Sequence, residues 1–135
     1  MAFTGNYVCD SFRTALLNGD VDFGNDTFKI ALYTNDVSLN ETTVSYTATG
    51  EVVAAGYTAG GEVLTPTLSS TTGVAFVSFA DVSWSGAITA RGALIYKDGG
   101  TAIAVLDFGT DQVSTTSFVI QFPPGNSSSA ILRIA

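Results

Sequence analysis

The feature that most constrains the fold is a series of eight short apolar segments, cut apart by Gly, Asn, Asp, Ser and Thr. Most of them alternate between inward and outward residues, as at Phe28–Tyr33 and residues 88–97. A repeat of two places successive side chains on opposite faces of a strand, and clusters of turn residues end each strand. The sequence therefore predicts an all-β fold, an antiparallel β-sandwich of about eight strands with the form of a jelly roll.

One segment near the start has a different period. Val8, Phe12 and Leu16 recur at the spacing of a helix, and a glycine follows at position 19 as a natural stop. The pattern predicts one short helix at residues 7–18, preceded by an N-terminal arm at residues 1–7. A single helix argues against repeated βαβ units.

The size and composition of the chain bound its class. Its 135 residues suffice for one domain with a real core, so we expect residues 1–135 to form a single β-sandwich domain. Charged residues make up 13%, about half the usual share. An outer face rich in hydroxyl groups and poor in charge loses little hydration when it is covered. The composition favours a surface that a partner covers, and an ordinary sandwich with a hydroxyl-rich surface stays open as the alternative.

The charge balance argues against two classes of partner. The formal net charge is −7, and the five Lys and Arg residues are scattered singly. Binding to nucleic acid or to anionic lipid needs clustered cations, so we expect neither. No apolar stretch approaches the length of a membrane span and no signal peptide is visible, so we expect synthesis in a cytosol.

The chain lacks the usual catalytic side chains. It has no His and one Cys, which rules out Ser-His-Asp and Cys-His sites and Cys/His zinc sites. Asp81 and Asp107 lie in or beside apolar strands, where burial could suit one of them to acid-base work. The other interpretation pairs an Asp with Arg91 or places it at a turn. We expect no enzymatic activity and no cofactor.

Two further clusters have both a functional and a structural interpretation. Acidic and amide residues crowd into residues 20–26, but they do not match the spacing of an EF-hand loop, so a solvated turn is favoured over a metal site. Gly56, Gly60 and Gly61 resemble a phosphate loop only loosely, since no Lys-Ser/Thr pair follows them. A tight turn with a close backbone approach is the favoured interpretation.

Three residues are candidates for a protein interface. Arg91 lies within the longest apolar alternation, where a cation needs a carboxylate, a carbonyl cluster or a subunit interface, unless it reaches out from a half-exposed face. Phe3 and Tyr7 are aromatic residues of the arm, ahead of the predicted helix. We expect deletion of residues 2–7 to leave the fold intact and to abolish docking.

Four strings of residues are familiar together and in this order: FKIALYT at 28–34, GYTAGG at 56–61, ITARGALIY at 88–96 and AVLDFG at 104–109. With them, residues 11–135 resemble a family of small virion proteins of tailed bacteriophages. Some members of that family are capsid cement, or decoration, proteins with a jelly-roll body.

The resemblance implies non-enzymatic binding to the outer capsid lattice, with the major capsid protein as partner. It also implies a symmetric homo-oligomer, a dimer, on the capsid surface of a virion, made in the host bacterial cytoplasm. A tail or neck component of the same virion is one alternative. A glycan-binding module with an exposed Trp84 is another, although a Trp at that position is more often core.

Overall fold

The computed structural model describes residue 3 and residues 5–123, 125–126 and 130–134. In this part of the chain there are one helix, α1 (Asp10–Asn18), and ten strands. The strands are β1 (Tyr7–Val8), β2 (Phe28–Tyr33), β3 (Glu62–Val63), β4 (Pro66–Thr71), β5 (Val74–Phe79), β6 (Val82–Ser85), β7 (Thr89–Lys97), β8 (Ala102–Val113), β9 (Ser117–Ile120) and β10 (Leu132–Ile134).

The strands form three sheets within the described residues. The largest has the order β1-β8-β7-β2-β3, the second has the order β10-β5-β4, and β6 pairs with β9. Every strand pair is antiparallel. The prediction of an all-β, antiparallel fold with one short helix is therefore confirmed. Ten strands replace the expected eight, and two of the ten, β1 and β3, are only two residues long.

The centre of the molecule is formed by β2 and β7, whose side chains are buried on both faces. On one face Phe28 stacks on Phe23 with ring centroids 4.7 Å apart. On the other face Tyr33 is fully buried beneath the long connection from residue 34 to residue 61. This connection covers that face of the sheet. The carbonyl of Thr47 in the connection accepts a hydrogen bond from the buried Tyr33 hydroxyl.

The helix begins at Asp10, three residues later than predicted. The Cys9 amide donates a hydrogen bond to the carbonyl of Ile103 at 2.8 Å, which holds the preceding residues extended as β1 alongside β8. Cys9 is thus the N-cap residue, and the predicted start at residue 7 is wrong. The stop is as predicted, since Gly19 has a φ of 78° in the left-handed region.

Several strand boundaries also differ from expectation. Residues 51–55 form only a single bridge, between Glu51 and Tyr33, instead of a strand. Strand β8 continues past Gly109 to Val113. A proline within a strand predicts an edge position or a bulge, and Pro66 opens β4 at the edge of its sheet.

The end of the chain lies at an edge and not at a sheet centre. We expected residues 130–135 to pair centrally, but β10 pairs with β5 alone among the described residues. Residue 135 lies outside the described part of the chain. Leu132 and Ile134 of this edge strand line an open groove.

Candidate functional site

An apolar groove of about 790 Å³ lies between α1 and the sheet β10-β5-β4. A volume of this size is typical of pockets that take a ligand or a short segment of a partner. Its lining residues are apolar except for two arginines. They are Val8, Phe12, Arg13, Leu16, Leu17, Phe23, Leu68, Val74, Ala75, Phe76, Val77, Ile131, Leu132, Arg133 and Ile134.

The helix side of the groove is formed by apolar residues of α1. Phe12 and Ala15 face the core and are buried, while Leu16 is partly buried at the groove. Leu17, one position further, is 90% exposed. The helix therefore carries more apolar surface than its own core uses.

The sheet side follows from the register of three strands. Leu132, Val77 and Leu68 lie side by side across β10, β5 and β4. Val77 and Leu132 are buried, but Leu68 at the outer strand is 59% exposed and Ile134 is 57% exposed. Of the eight exposed large apolar side chains among the described residues, three thus line one groove, and such clustering is typical of an interaction surface.

The groove also concentrates positive charge. Arg13 and Arg133 line it, and they are two of the five cations in a chain of net charge −7. Arg13 pairs with Asp10 at 3.1 Å, but both side chains are largely exposed, and a solvated pair of this kind is weak. Both arginines therefore lie where a carboxylate of a partner could reach them.

Two end strands contribute residues to the groove. β1 is the end strand of the five-stranded sheet and contributes Val8, while β10 is the end strand of the three-stranded sheet. No strand among the described residues pairs with the outer side of either one. The groove therefore offers apolar side chains, cations and backbone groups together.

A second region is polar and largely buried. Glu51 is buried, and its carboxylate accepts hydrogen bonds from the hydroxyls of Tyr46 and Tyr57 at 2.5 Å each. It also accepts one from the Gly60 amide at 2.7 Å. Sequence reasoning missed this residue, because no spacing of Glu51 and the tyrosines marks them as neighbours.

The surrounding tyrosines complete what we call the Glu51 cluster: Glu51, Tyr33, Tyr46, Tyr57 and Tyr96. The Tyr33 hydroxyl donates to the carbonyl of Thr47 at 2.7 Å, and Tyr96 donates to that of Gly60 at 2.6 Å. The Tyr57 hydroxyl accepts from the amide of Leu32 at 3.0 Å. The cluster ties the covering connection to β2 and β7.

Burial changes the acidity of these phenols. Desolvation raises the pKa of Tyr46 and that of Tyr96 to about 12. The pKa values of Tyr33 and Tyr57 are raised further, again chiefly by burial. Groups this weakly acidic hold their protons at neutral pH, so these tyrosines act as hydrogen-bond donors within the cluster.

Among the three predicted interface residues, Arg91 has the internal carboxylate partner that the sequence analysis left open as one interpretation. Arg91 forms an ion pair with Asp107, and both side chains are largely buried. Its guanidinium carbon lies 6.0 Å from the centre of the Phe3 ring, and Phe3 is only 3% exposed. The carboxylate that Arg91 needs is thus supplied within the chain.

The two aromatic residues of the predicted N-terminal arm pack against the body of the protein. Phe3 packs into the core above Arg91, and Tyr7 belongs to β1. As packed in this fold, Phe3 has almost no surface left for a partner. The structure brings Phe3 and Arg91 together and leaves both apart from the groove lining.

The remaining candidates have structural roles. Asp81 accepts a hydrogen bond from the amide of Phe122 at 3.0 Å. Asp22 accepts one from the amide of Gly24 at 2.8 Å, and Lys97 pairs with Asp26 at 3.1 Å, as expected of a turn. Within the described residues, no group of three or more His, Cys, Asp or Glu side chains is arranged to hold a metal ion.

Two further side chains, those of Cys9 and Trp84, are buried. Burial raises the pKa of the Cys9 thiol to about 11, and the side chain is packed in the core. Trp84 is buried between the rings of Tyr57 and Phe118, so it has no exposed face on which a sugar could stack. Among the buried side-chain nitrogen and oxygen atoms described, its Nε1 alone has no hydrogen-bond partner.

In comparisons with protein-family models, curated proteins and solved structures, the chain shows no significant similarity to any of them. In the described part of the chain, no helix is both long enough and apolar enough to cross a membrane.

Proposed function

We propose that this chain is a non-enzymatic structural protein of a phage virion, which binds the outer capsid lattice and bridges capsomers. In this proposal the antiparallel body is a jelly roll, the partner is the major capsid protein, and the chain acts as a homo-oligomer, a dimer. It is made in the host bacterial cytoplasm and lies on the capsid surface.

The observation that carries the proposal is the apolar groove with its exposed Leu17, Leu68 and Ile134. Apolar surface of this kind costs free energy in water and gains it when a partner covers it. The low charge of the chain and its resemblance to capsid cement proteins support the same function. The buried polar clusters, by contrast, are already satisfied within the chain.

The mechanism is mechanical. A dimer presents two grooves, and once one of them has engaged a capsomer the second binds within the same assembly. The second binding step then proceeds at roughly millimolar effective concentration, so each site can be weak. Bridges of this type oppose the outward pressure of a packaged genome by tying neighbouring capsomers together.

The test uses particles assembled from the major capsid protein encoded by the same genome. A groove variant, Leu17→Gln with Leu68→Thr, is compared with a control, Val53→Gln with Val63→Thr. The control residues are as exposed, at 96% and 58%, and lie outside the groove. We expect the control to bind particles like the wild type and the groove variant to lose binding.

Copy number separates this function from its main alternative. Cryo-EM of decorated particles should show copies in proportion to the capsid subunits. A small fixed number at the neck or tail would instead identify a tail component, and absence from the particles would contradict a virion role altogether.

A further inference from the structure

We infer that the groove takes an extended segment of the capsid subunit in which aliphatic and carboxylate side chains alternate, added as a new strand along β10. The inference rests on the proposed function and specifies the chemistry of the partner. It goes beyond that function, because capsid binding alone requires neither a strand nor an acidic segment.

The strand form follows from the edge of the sheet. β10 is paired with β5 on one side and with no described strand on the other, so its outer backbone groups can pair with a guest. Added strands gain main-chain hydrogen bonds, and alternate side chains enter the adjoining pockets. Leu132 and Ile134 project to one side of β10 and Arg133 to the other, and all three line the groove.

The alternation of the guest follows from the same three residues. A strand beside β10 would place one set of its side chains next to Leu132 and Ile134, where aliphatic groups are favoured. Its other set would lie next to Arg133, where a carboxylate is favoured. Opposite charges on neighbouring strands stabilise a pair, and like charges destabilise it.

The overall charge of the molecule sharpens this choice. A chain of net charge −7 repels an acidic segment over most of its surface. Arg13 and Arg133 make the groove an exception, so an acidic segment is directed to this site and away from others. Electrostatic complementarity of this kind contributes more to specificity than to affinity.

The same arginines argue against a second copy of the chain as the occupant. In a two-fold contact between two grooves, the Arg13 and Arg133 side chains of both copies would share one interface whose lining residues include no carboxylate. Such a contact brings like charges together in an apolar interface, which is unfavourable.

The experiment measures binding of a short fluorescein-labelled peptide that alternates valine and glutamate. Its counterpart, which alternates valine and lysine, serves as the control probe. Fluorescence anisotropy at low salt should show saturable binding of the acidic peptide and at least about tenfold weaker binding of the basic one.

A pair of variants tests the role of the two arginines. Arg13→Gln with Arg133→Gln should weaken binding of the acidic peptide about fivefold to tenfold. Thr110→Glu with Gln112→Glu changes the net charge equally at exposed residues of β8 outside the groove, and should leave binding nearly unchanged. Equal loss in both pairs would show a general charge effect and overturn the inference.

Two other outcomes would also overturn it. Equal affinity for the acidic and basic peptides would remove the charge argument. A change in oligomeric state on groove substitution, measured by light scattering, would assign the groove to a second copy. If no peptide binds while the groove variants still fail to bind particles, the strand inference is wrong and the proposed function stands.

Discussion

The Glu51 cluster and the groove differ in how completely each is satisfied within the chain. In the cluster, a buried carboxylate and four tyrosine hydroxyls all have hydrogen-bond partners inside the protein. In the groove, apolar side chains remain exposed, and β10 pairs with one strand only among the described residues. The cluster contributes to the stability of the fold, while the groove keeps exposed apolar surface that a partner could cover.

The contrast indicates which surface to test for function in a chain that has no His and one Cys. Buried polar groups are often considered as possible active sites. The polar groups of the Glu51 cluster instead form hydrogen bonds that hold the connection of residues 34–61 against the main sheet. Exposed apolar surface has no such internal use. Substitutions should therefore affect stability in one region and binding in the other.

The largest effect is expected for Glu51→Ala. It leaves the buried Tyr57 hydroxyl and Gly60 amide, and the partly buried Tyr46 hydroxyl, without an acceptor. Unsatisfied groups of this kind together cost about 4 kcal/mol of unfolding free energy. Urea unfolding would measure the loss. Glu62→Ala, at an exposed residue of β3, is the control and should change stability by less than about 0.5 kcal/mol. A loss below about 1 kcal/mol for Glu51→Ala would contradict the structural role of the cluster.

A somewhat smaller effect is expected for Gly61→Ala, in the turn beside the cluster. Gly61 has a φ of 82°, and an added Cβ would overlap the carbonyl of Ile30. Gly99 has a φ of 74° but nothing within 4 Å of such an atom. Gly99→Ala should therefore cost only the backbone strain, about 1 kcal/mol, and Gly61→Ala about 3 kcal/mol. Equal losses in thermal unfolding would show that the close approach is unimportant.

Sequence reasoning was successful where the pattern is local. The period of two predicted the antiparallel strands, Pro66 predicted an edge strand, and the glycines of residues 56–61 predicted a close backbone approach. Each of these features depends on neighbours in the chain and on the conformational limits of single residues. Such limits are visible without knowledge of the fold.

Sequence reasoning failed where the outcome depends on distant residues. The burial of Phe3 follows from its contact with Arg91, which is itself positioned by Asp107 on another strand. The helix start was displaced because Cys9 bonds to Ile103. The groove depends on how α1 packs relative to the sheet β10-β5-β4, and the periodicity of the sequence does not predict that packing.

Alkaline pH should weaken the Glu51 cluster gradually. Because the pKa values of Tyr46 and Tyr96 are raised from 10.0 to about 12, the folded state favours their neutral forms. Their contribution to stability is complete below pH 10 and is lost as the pH rises from 10 to 12. The slope is at most about 1.4 kcal/mol per pH unit for each proton released. Urea unfolding across this range would reveal it, and a stability that stays constant up to pH 12 would contradict it.

The smallest effect on stability is expected in the groove, and it is the sharpest test of the contrast between the two regions. Leu17→Gln and Val53→Gln both replace an apolar side chain that is at least 90% exposed, so each should change the unfolding free energy by less than about 0.5 kcal/mol. Only Leu17 lies in the groove. Fluorescence of a dye that binds apolar surface should therefore fall for Leu17→Gln and stay unchanged for Val53→Gln. A loss of more than about 2 kcal/mol for Leu17→Gln would mean that the groove wall belongs to the core, since removal of a fully exposed side chain has no such cost.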